Sequence, residues 1–82
     1  MIAKQFLNRA FSYAKHYNIA PKGEKAELMQ KFRNALEAYR QYCSEEQYLI
    51  PYITMDGTIE SLDTENGIWV WDCEEKEFKL EA

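Results

Sequence analysis

Gly67-Ile68-Trp69-Val70-Trp71-Asp72-Cys73 holds both tryptophans of the chain, and from Ile68 to Trp71 it carries no charged or hydroxyl-bearing side chain. β-Branched and aromatic residues suit a pleated, half-buried strand. Asn66-Gly67 just before the stretch signals a turn, and a run of charges closes it. Successive strand residues point to opposite faces, so Trp69, Trp71 and Cys73 share one face and Ile68, Val70 and Asp72 the other. If Ile68 and Val70 turn inward, Trp69 and Trp71 are exposed, and such residues anchor interfaces. If the tryptophans turn inward, the outer face carries Ile68 and Val70 beside Asp72.

Outward from this stretch, the period of two persists in both directions. Glu74-Glu75-Lys76-Glu77 reads as a turn, and Phe78-Lys79-Leu80 as a short last strand. Upstream, Tyr52-Ile53-Thr54-Met55, Asp56-Gly57 and Thr58-Ile59-Glu60-Ser61-Leu62 form a hairpin signal, because Asp-Gly favours a type I′ turn. A polar loop from Asp63 to Asn66 joins it to the tryptophan strand. Residues 52–80 are therefore expected to form an antiparallel meander of three to four strands.

Before Pro51 the period is helical. Ile2, Phe6, Ala10, Tyr13 and Tyr17 recur at spacings of three and four, which predicts a helix over 2–17. Phe11 falls at the edge of its apolar sector. Asn18 to Gly23 breaks the pattern, with Pro21 disfavouring helix in the residue before it. Leu28, Phe32, Ala35, Leu36, Tyr39 and Cys43 predict a second helix over 24–43. Acids at its start and Arg40 near its end suit the helix dipole. Ser44-Glu45-Glu46-Gln47 has the spacing of a capping box, which predicts a further helical turn to Leu49 before Pro51 ends it. The expected fold is α+β, ααββββ. An N-terminal antiparallel helix pair packs on one face of the meander, and 1–82 forms a single domain.

Composition bounds the function. With 46% hydrophobic and 15% aromatic residues in 82, the chain can build a core, and disorder is not expected. No apolar run approaches a membrane span, and Met1 to Phe6 lacks the apolar segment of a secretory signal. A reducing cytoplasm is the expected compartment, with Cys43 and Cys73 as small buried residues rather than a disulfide. No pair of cysteines has metal-ligand spacing, so neither metal nor cofactor is expected. His16, the single histidine, has no carboxylate or nucleophile near it in sequence, and no glycine-rich phosphate loop exists. The chain is not expected to be an enzyme.

The net charge of −4 is unevenly spread. Residues 1–23 hold Lys4, Arg9, Lys15 and Lys22 and no acid, whereas residues 47–82 hold nine acids against Lys76 and Lys79. Such asymmetry points to charged partners or to attraction between the halves. The acidic half supplies the main functional expectation: a protein-binding surface of Asp72, Glu74, Glu75, Glu77 and Glu65, with Trp69 and Trp71 as aromatic anchors. A surface of that sign can dock on a basic, nucleic-acid-binding groove of another protein through the electrostatics that phosphate uses. Small phage-encoded inhibitors of the anti-CRISPR and anti-restriction kinds share this general character, a comparison of type rather than of sequence. One alternative is a nucleic-acid-binding regulator in which Lys4, Arg9 and Lys15 on helix 1 meet phosphates. Another is a structural subunit that forms homodimers or larger oligomers. Membrane binding is not expected, because the aromatic residues are needed for the core.

Overall fold

A computed structural model describes residues 2–81. Met1 and Ala82, the ends of the expected domain, and the side chain of Ile2 lie outside the described residues. Helix α1 spans Ile2–Ile19, and a 3₁₀ turn at Lys22–Glu24 leads into α2, Lys25–Tyr42. Four strands follow: β1 Leu49–Ile53, β2 Ile59–Thr64, β3 Gly67–Asp72 and β4 Glu77–Glu81. They form one antiparallel sheet in the order β1-β2-β3-β4. The expected α+β ααββββ layout is the observed one.

Both helices form where the apolar spacing of three and four places them, and both ends of the pair show that they run antiparallel. Phe6 near the start of α1 stacks on Tyr42 at the end of α2, with centroids 5.6 Å apart. At the other end, the Lys25 ammonium lies 4.8 Å from the centre of the Tyr17 ring. Buried Ala10 and Ala14, one turn apart on α1, leave room for close approach by the elements packed against them. Phe32, Leu36 and Tyr39 fill the space from α2, and Leu49, Ile59 and Leu62 rise from the sheet. Each such side chain contributes about 1.5–3 kcal/mol by leaving water. Among the described residues one buried side-chain polar atom lacks a partner, the hydroxyl of Tyr39. Burial pushes its pKa up, with the nearby Glu65 carboxylate and Cys43 adding to the effect.

The meander begins earlier than the sequence suggests. Instead of a helical turn, Ser44–Gln47 forms an isolated reverse turn. Gln47 N–H donates to Ser44 O at 3.0 Å, and the Gln47 carboxamide oxygen accepts from Ser44 N–H at 2.8 Å. Half of a capping box is thus present without a helix behind it. Leu49 and Ile50 already belong to β1, and Pro51 sits inside that strand. This is tolerable because β1 is an edge strand, and a proline there can turn its missing N–H away from the ladder. Registered pairs thus run from Leu49 to Glu81 rather than over 52–80.

Two turns differ from expectation in ways that set which side chains face inward. At Thr54–Thr58 only Gly57 takes a positive φ, +89°, so the hairpin is not type I′, which needs Asp56 positive as well. The Asp56 carboxylate instead holds the loop by accepting from the Thr54 hydroxyl and from Thr58 N–H. The Thr54 hydroxyl bond, ahead of the Thr58 backbone bond, keeps Asp56 below the usual carboxylate range. Just beyond, the register slips: Tyr52 pairs with Ser61 but Ile53 with Ile59, leaving Glu60 as a bulge. That extra residue is why Ile59 and Leu62, three apart, are both fully buried. The β2–β3 connection is only Glu65-Asn66, and Thr64 and Gly67 pair across it.

Candidate protein-binding face

The helix pair lies on one side of the sheet, and the aromatic contacts identify which. Phe11 of α1 meets Trp69 edge-on at 5.3 Å and Phe78 at 6.3 Å, and Trp71 packs on its cross-strand partner Phe78 at 5.0 Å. The tryptophans therefore face the helices and are half-buried. Expected as exposed anchors, Trp69 and Trp71 instead extend the core. The physical reason lies in α1: Phe11 needs an aromatic partner, and the opposite registration would give it only Ile68 and Val70.

The outer face follows from the same registers. Ile50, Asp63, Ile68 and Glu81 form one row across four strands, and Tyr52, Ser61, Val70 and Lys79 the next, with Asp72 and Glu77 beyond. Ile50, Tyr52 and Ile68 are 43%, 50% and 43% exposed. Ile50 with Tyr52 on β1 and Ile68 with Val70 on β3 make up the two apolar halves of one patch, with Asp63 and Ser61 of β2 between them. Met55, fully exposed at the tip of the β1–β2 hairpin, lies next to it in sequence. The Ile68 and Val70 part of this patch follows from the sequence alternation alone, whereas Ile50, Tyr52 and Met55 were missed. Their signal is the alternation Leu49, Pro51, Ile53 against Ile50, Tyr52, which is concealed when Pro51 is read as a stop.

The acids expected to bind a partner separate into two groups. Asp72, Glu74, Glu75 and Glu77 gather at the β3–β4 turn, while Glu65 lies at the other end of the sheet, where its carboxylate accepts from Tyr48 N–H at 3.1 Å. Asp72 organises its turn. Its carboxylate accepts from the N–H groups of Glu74 and Glu75 at 2.9 and 3.1 Å, and its carbonyl from Lys76 N–H at 2.7 Å. The Glu75 and then the Glu74 N–H hold the Asp72 carboxyl below the usual range. Lys76 takes the left-handed conformation that closes the turn, φ +57°. The Lys79 ammonium lies 3.3 Å from Asp72 and 3.6 Å from Glu75, which raises its pKa, chiefly through its hydrogen bond to Asp72. Glu74 is exposed and Glu77 half-buried, and neither has an ion-pair partner within 4 Å among the described residues.

The three cations proposed for nucleic acid are exposed on α1 but not gathered. Lys4 and Arg9, five residues apart, diverge by roughly 140° around the axis. Arg9 lies over the Phe6 ring, 5.5 Å from its centre, in the crease facing α2, whereas Lys4 lines a hollow beside Glu65 and Asn66. Lys15 lies about 20° from Lys4 and about three turns further along. His16 is exposed on the same helix. Cys43 is half-buried, its thiol 3.5 Å from the carbonyls of Arg40 and Gln47. Cys73, expected to be buried, is exposed because it falls in the β3–β4 turn rather than in the strand. Among the described residues no group of three His, Cys, Asp or Glu side chains is placed to hold a metal ion, and no helix is long and apolar enough to cross a membrane. Comparison with family models, curated proteins and solved structures finds no match for the chain.

Proposed function

We propose that this chain is a non-enzymatic protein-binding domain whose outer sheet face occludes a basic surface of a target protein. One observation carries the reading: Ile50, Tyr52, Ile68 and Val70 lie in adjacent registers on the face opposite the helices, with Asp63, Asp72, Glu77 and Glu81 on the same face. The two apolar pairs flank Asp63 and Ser61, so the face offers apolar contact and negative charge side by side. Its single cation, Lys79, is engaged by Asp72 and Glu75, so the face presents net negative charge. Complementary charge speeds encounter and excludes wrong partners. Two copies meeting through this face would bring like charges together, which favours a different, basic partner over a homodimer. A protein surface evolved for phosphate has the required sign. The reading therefore extends to inhibitors of the phage anti-CRISPR or anti-restriction type, which act by covering such a surface in the cytoplasm.

The test compares the native chain with the double variant Ile68→Lys, Glu77→Lys in affinity capture from host extract. A partner held by the native chain, released by duplex DNA and lost by the variant, whose circular dichroism is native, is the expected result. A partner retained equally by both overturns the reading.

A further inference from the structure

The free margin of the sheet at β1 lies beside a groove of about 530 Å³ between that strand and α2. Its walls include Phe32 and Leu36 from the helix and Pro51 and Ile53 from the strand, and Ile53 is 44% exposed there. Arg33, Glu37 and Arg40 line it as well.

The backbone of β1 shows what this margin can bond. Thr54 N–H donates back to Thr58 O, and Arg40 Nη2 donates to Leu49 O at 3.2 Å from the side of α2. Strand residues alternate in the direction of their N–H and C=O groups. Ile50 and Tyr52 therefore bond to β2, while Leu49, Pro51 and Ile53 direct theirs outward. The β2–β3 hairpin agrees: Thr64 and Gly67 flank a two-residue turn, so Leu62 and Thr64 bond to β3 and Asp63 and Ser61 to β1. Pro51 thus loses no ladder bond. The carbonyl of Pro51 and both backbone groups of Ile53 point into the margin, and no side chain or turn bond among the described residues takes them.

We propose that this groove is a docking site for an extended segment of a partner protein, which adds beside β1 as a fifth strand. A residue opposite Ile53 exchanges two hydrogen bonds with it, and a third N–H reaches the Pro51 carbonyl. Its alternate apolar side chains enter the groove over Phe32 and Leu36, the usual division of labour in strand addition. Charge selects the segment. Arg33 and Arg40 outnumber Glu37 on the lining, and none of the three has an ion-pair partner within 4 Å among the described residues, so the complementary segment places an acidic residue at Arg33, at a position that faces the groove with the apolar ones. A second copy of this chain fits poorly. Pairing β1 with its own twin about Pro51 would oppose two prolines that lack donors and bring the arginines of both copies together. The site is separate from the acidic outer face and of opposite preference.

The probe is an amidated pentapeptide labelled with fluorescein at its N-terminus, Glu-Thr-Val-Thr-Val, with Lys-Thr-Val-Thr-Val as its control; the charged residue and both valines share the face that meets the groove. The expected result is a saturable rise in anisotropy with the glutamate peptide and a shift of the Ile53 amide resonance. Arg33→Glu, an exposed change checked for native circular dichroism, is expected to weaken binding about tenfold. No saturable binding, equal binding of the lysine peptide, or indifference to Arg33→Glu each overturns the proposal. Displacement of the peptide from this groove by decanoate with no shift at Ile53 would assign it to a simple apolar carboxylate instead. Concentration-dependent self-association lost in Arg33→Glu would assign it to a second copy.

Discussion

The carboxamide of Asn18 completes the backbone of Ile59. Its oxygen accepts from Ile59 N–H at 2.8 Å and its nitrogen donates to Ile59 O at 2.9 Å. The Glu60 bulge turns these groups away from β1, and β2–β3 pairing ends at Ser61 and Val70, so no strand reaches them. A side chain at the end of α1 thus stands in for a missing strand, tying the first helix to the most deeply buried part of the sheet. Asn18→Ala should cost about 2 kcal/mol, because it leaves a buried donor and acceptor unmatched. Chemical denaturation measures this, and a change below about 0.5 kcal/mol would show that water replaces the amide.

Tyr39 makes the opposite prediction. Its hydroxyl is buried without a partner among the described residues, so Tyr39→Phe should leave stability unchanged or raise it by up to about 1 kcal/mol. Its pH dependence has a definite sign. The folded pKa lies above the unfolded value near 10, so the folded state holds the proton longer. The stability from this group is present below pH 10 and falls as pH rises through the folded value. Alkaline unfolding should therefore shift to higher pH in Tyr39→Phe, as read by far-ultraviolet circular dichroism.

Gly67 and Gly23 should respond differently to alanine. Gly67 has φ +128°, and a Cβ there would come within 2.9 Å of Leu80 Cδ1, whereas Gly23 has open space around it. Gly67→Ala is expected to cost about 1–3 kcal/mol through backbone strain, and Gly23→Ala close to nothing. Similar melting temperatures for the two variants would contradict the assigned turn geometry.

Asp72 governs the acid limb. Hydrogen bonds from Glu75 and Glu74 N–H depress its folded pKa, so its contribution is present above the unfolded carboxylate value and is lost as pH falls through the folded one. Asp72→Ala should lower the melting temperature at pH 7 and flatten its decline toward pH 2. Parallel curves for the two proteins would remove Asp72 from the turn.

Tryptophan emission tests the facing of β3. Half-buried against Phe11 and Phe78, Trp69 and Trp71 should emit to the blue of free tryptophan and resist iodide in part. Full quenching at the rate of a model compound would place them on the outer face.

Spacing of Phe32, Leu36 and Tyr39 made the helix pair legible, and Gly57 and Gly67 marked the first two turns. Less could be read where two local signals competed. Ser44 and Gln47 carry a capping pattern, and only the pairing of Leu49 with Thr64 shows that a strand, not a helix, follows. The Glu60 bulge has no local signature, since it exists to let both Ile59 and Leu62 reach one core. The facing of Trp69 was undecidable from the strand, because both its faces are apolar. The deciding residue, Phe11, lies 58 positions away. The gathering of acids at the β3–β4 turn followed from sequence order, while the outer patch depended on β1 being recognised.

The two margins of the sheet are unlike. On β4, Glu77, Lys79 and Glu81 set a charge at every second position, an arrangement that discourages a neighbouring strand, whereas the β1 margin carries Pro51 and Ile53. Pairing one copy's β1 with another's β4 would be head-to-tail and, without closure, would propagate indefinitely. The charges of β4 oppose that polymerisation. Neutralising Lys79 and Glu81 would remove a barrier to filaments while leaving the core side chains of the individual molecule untouched.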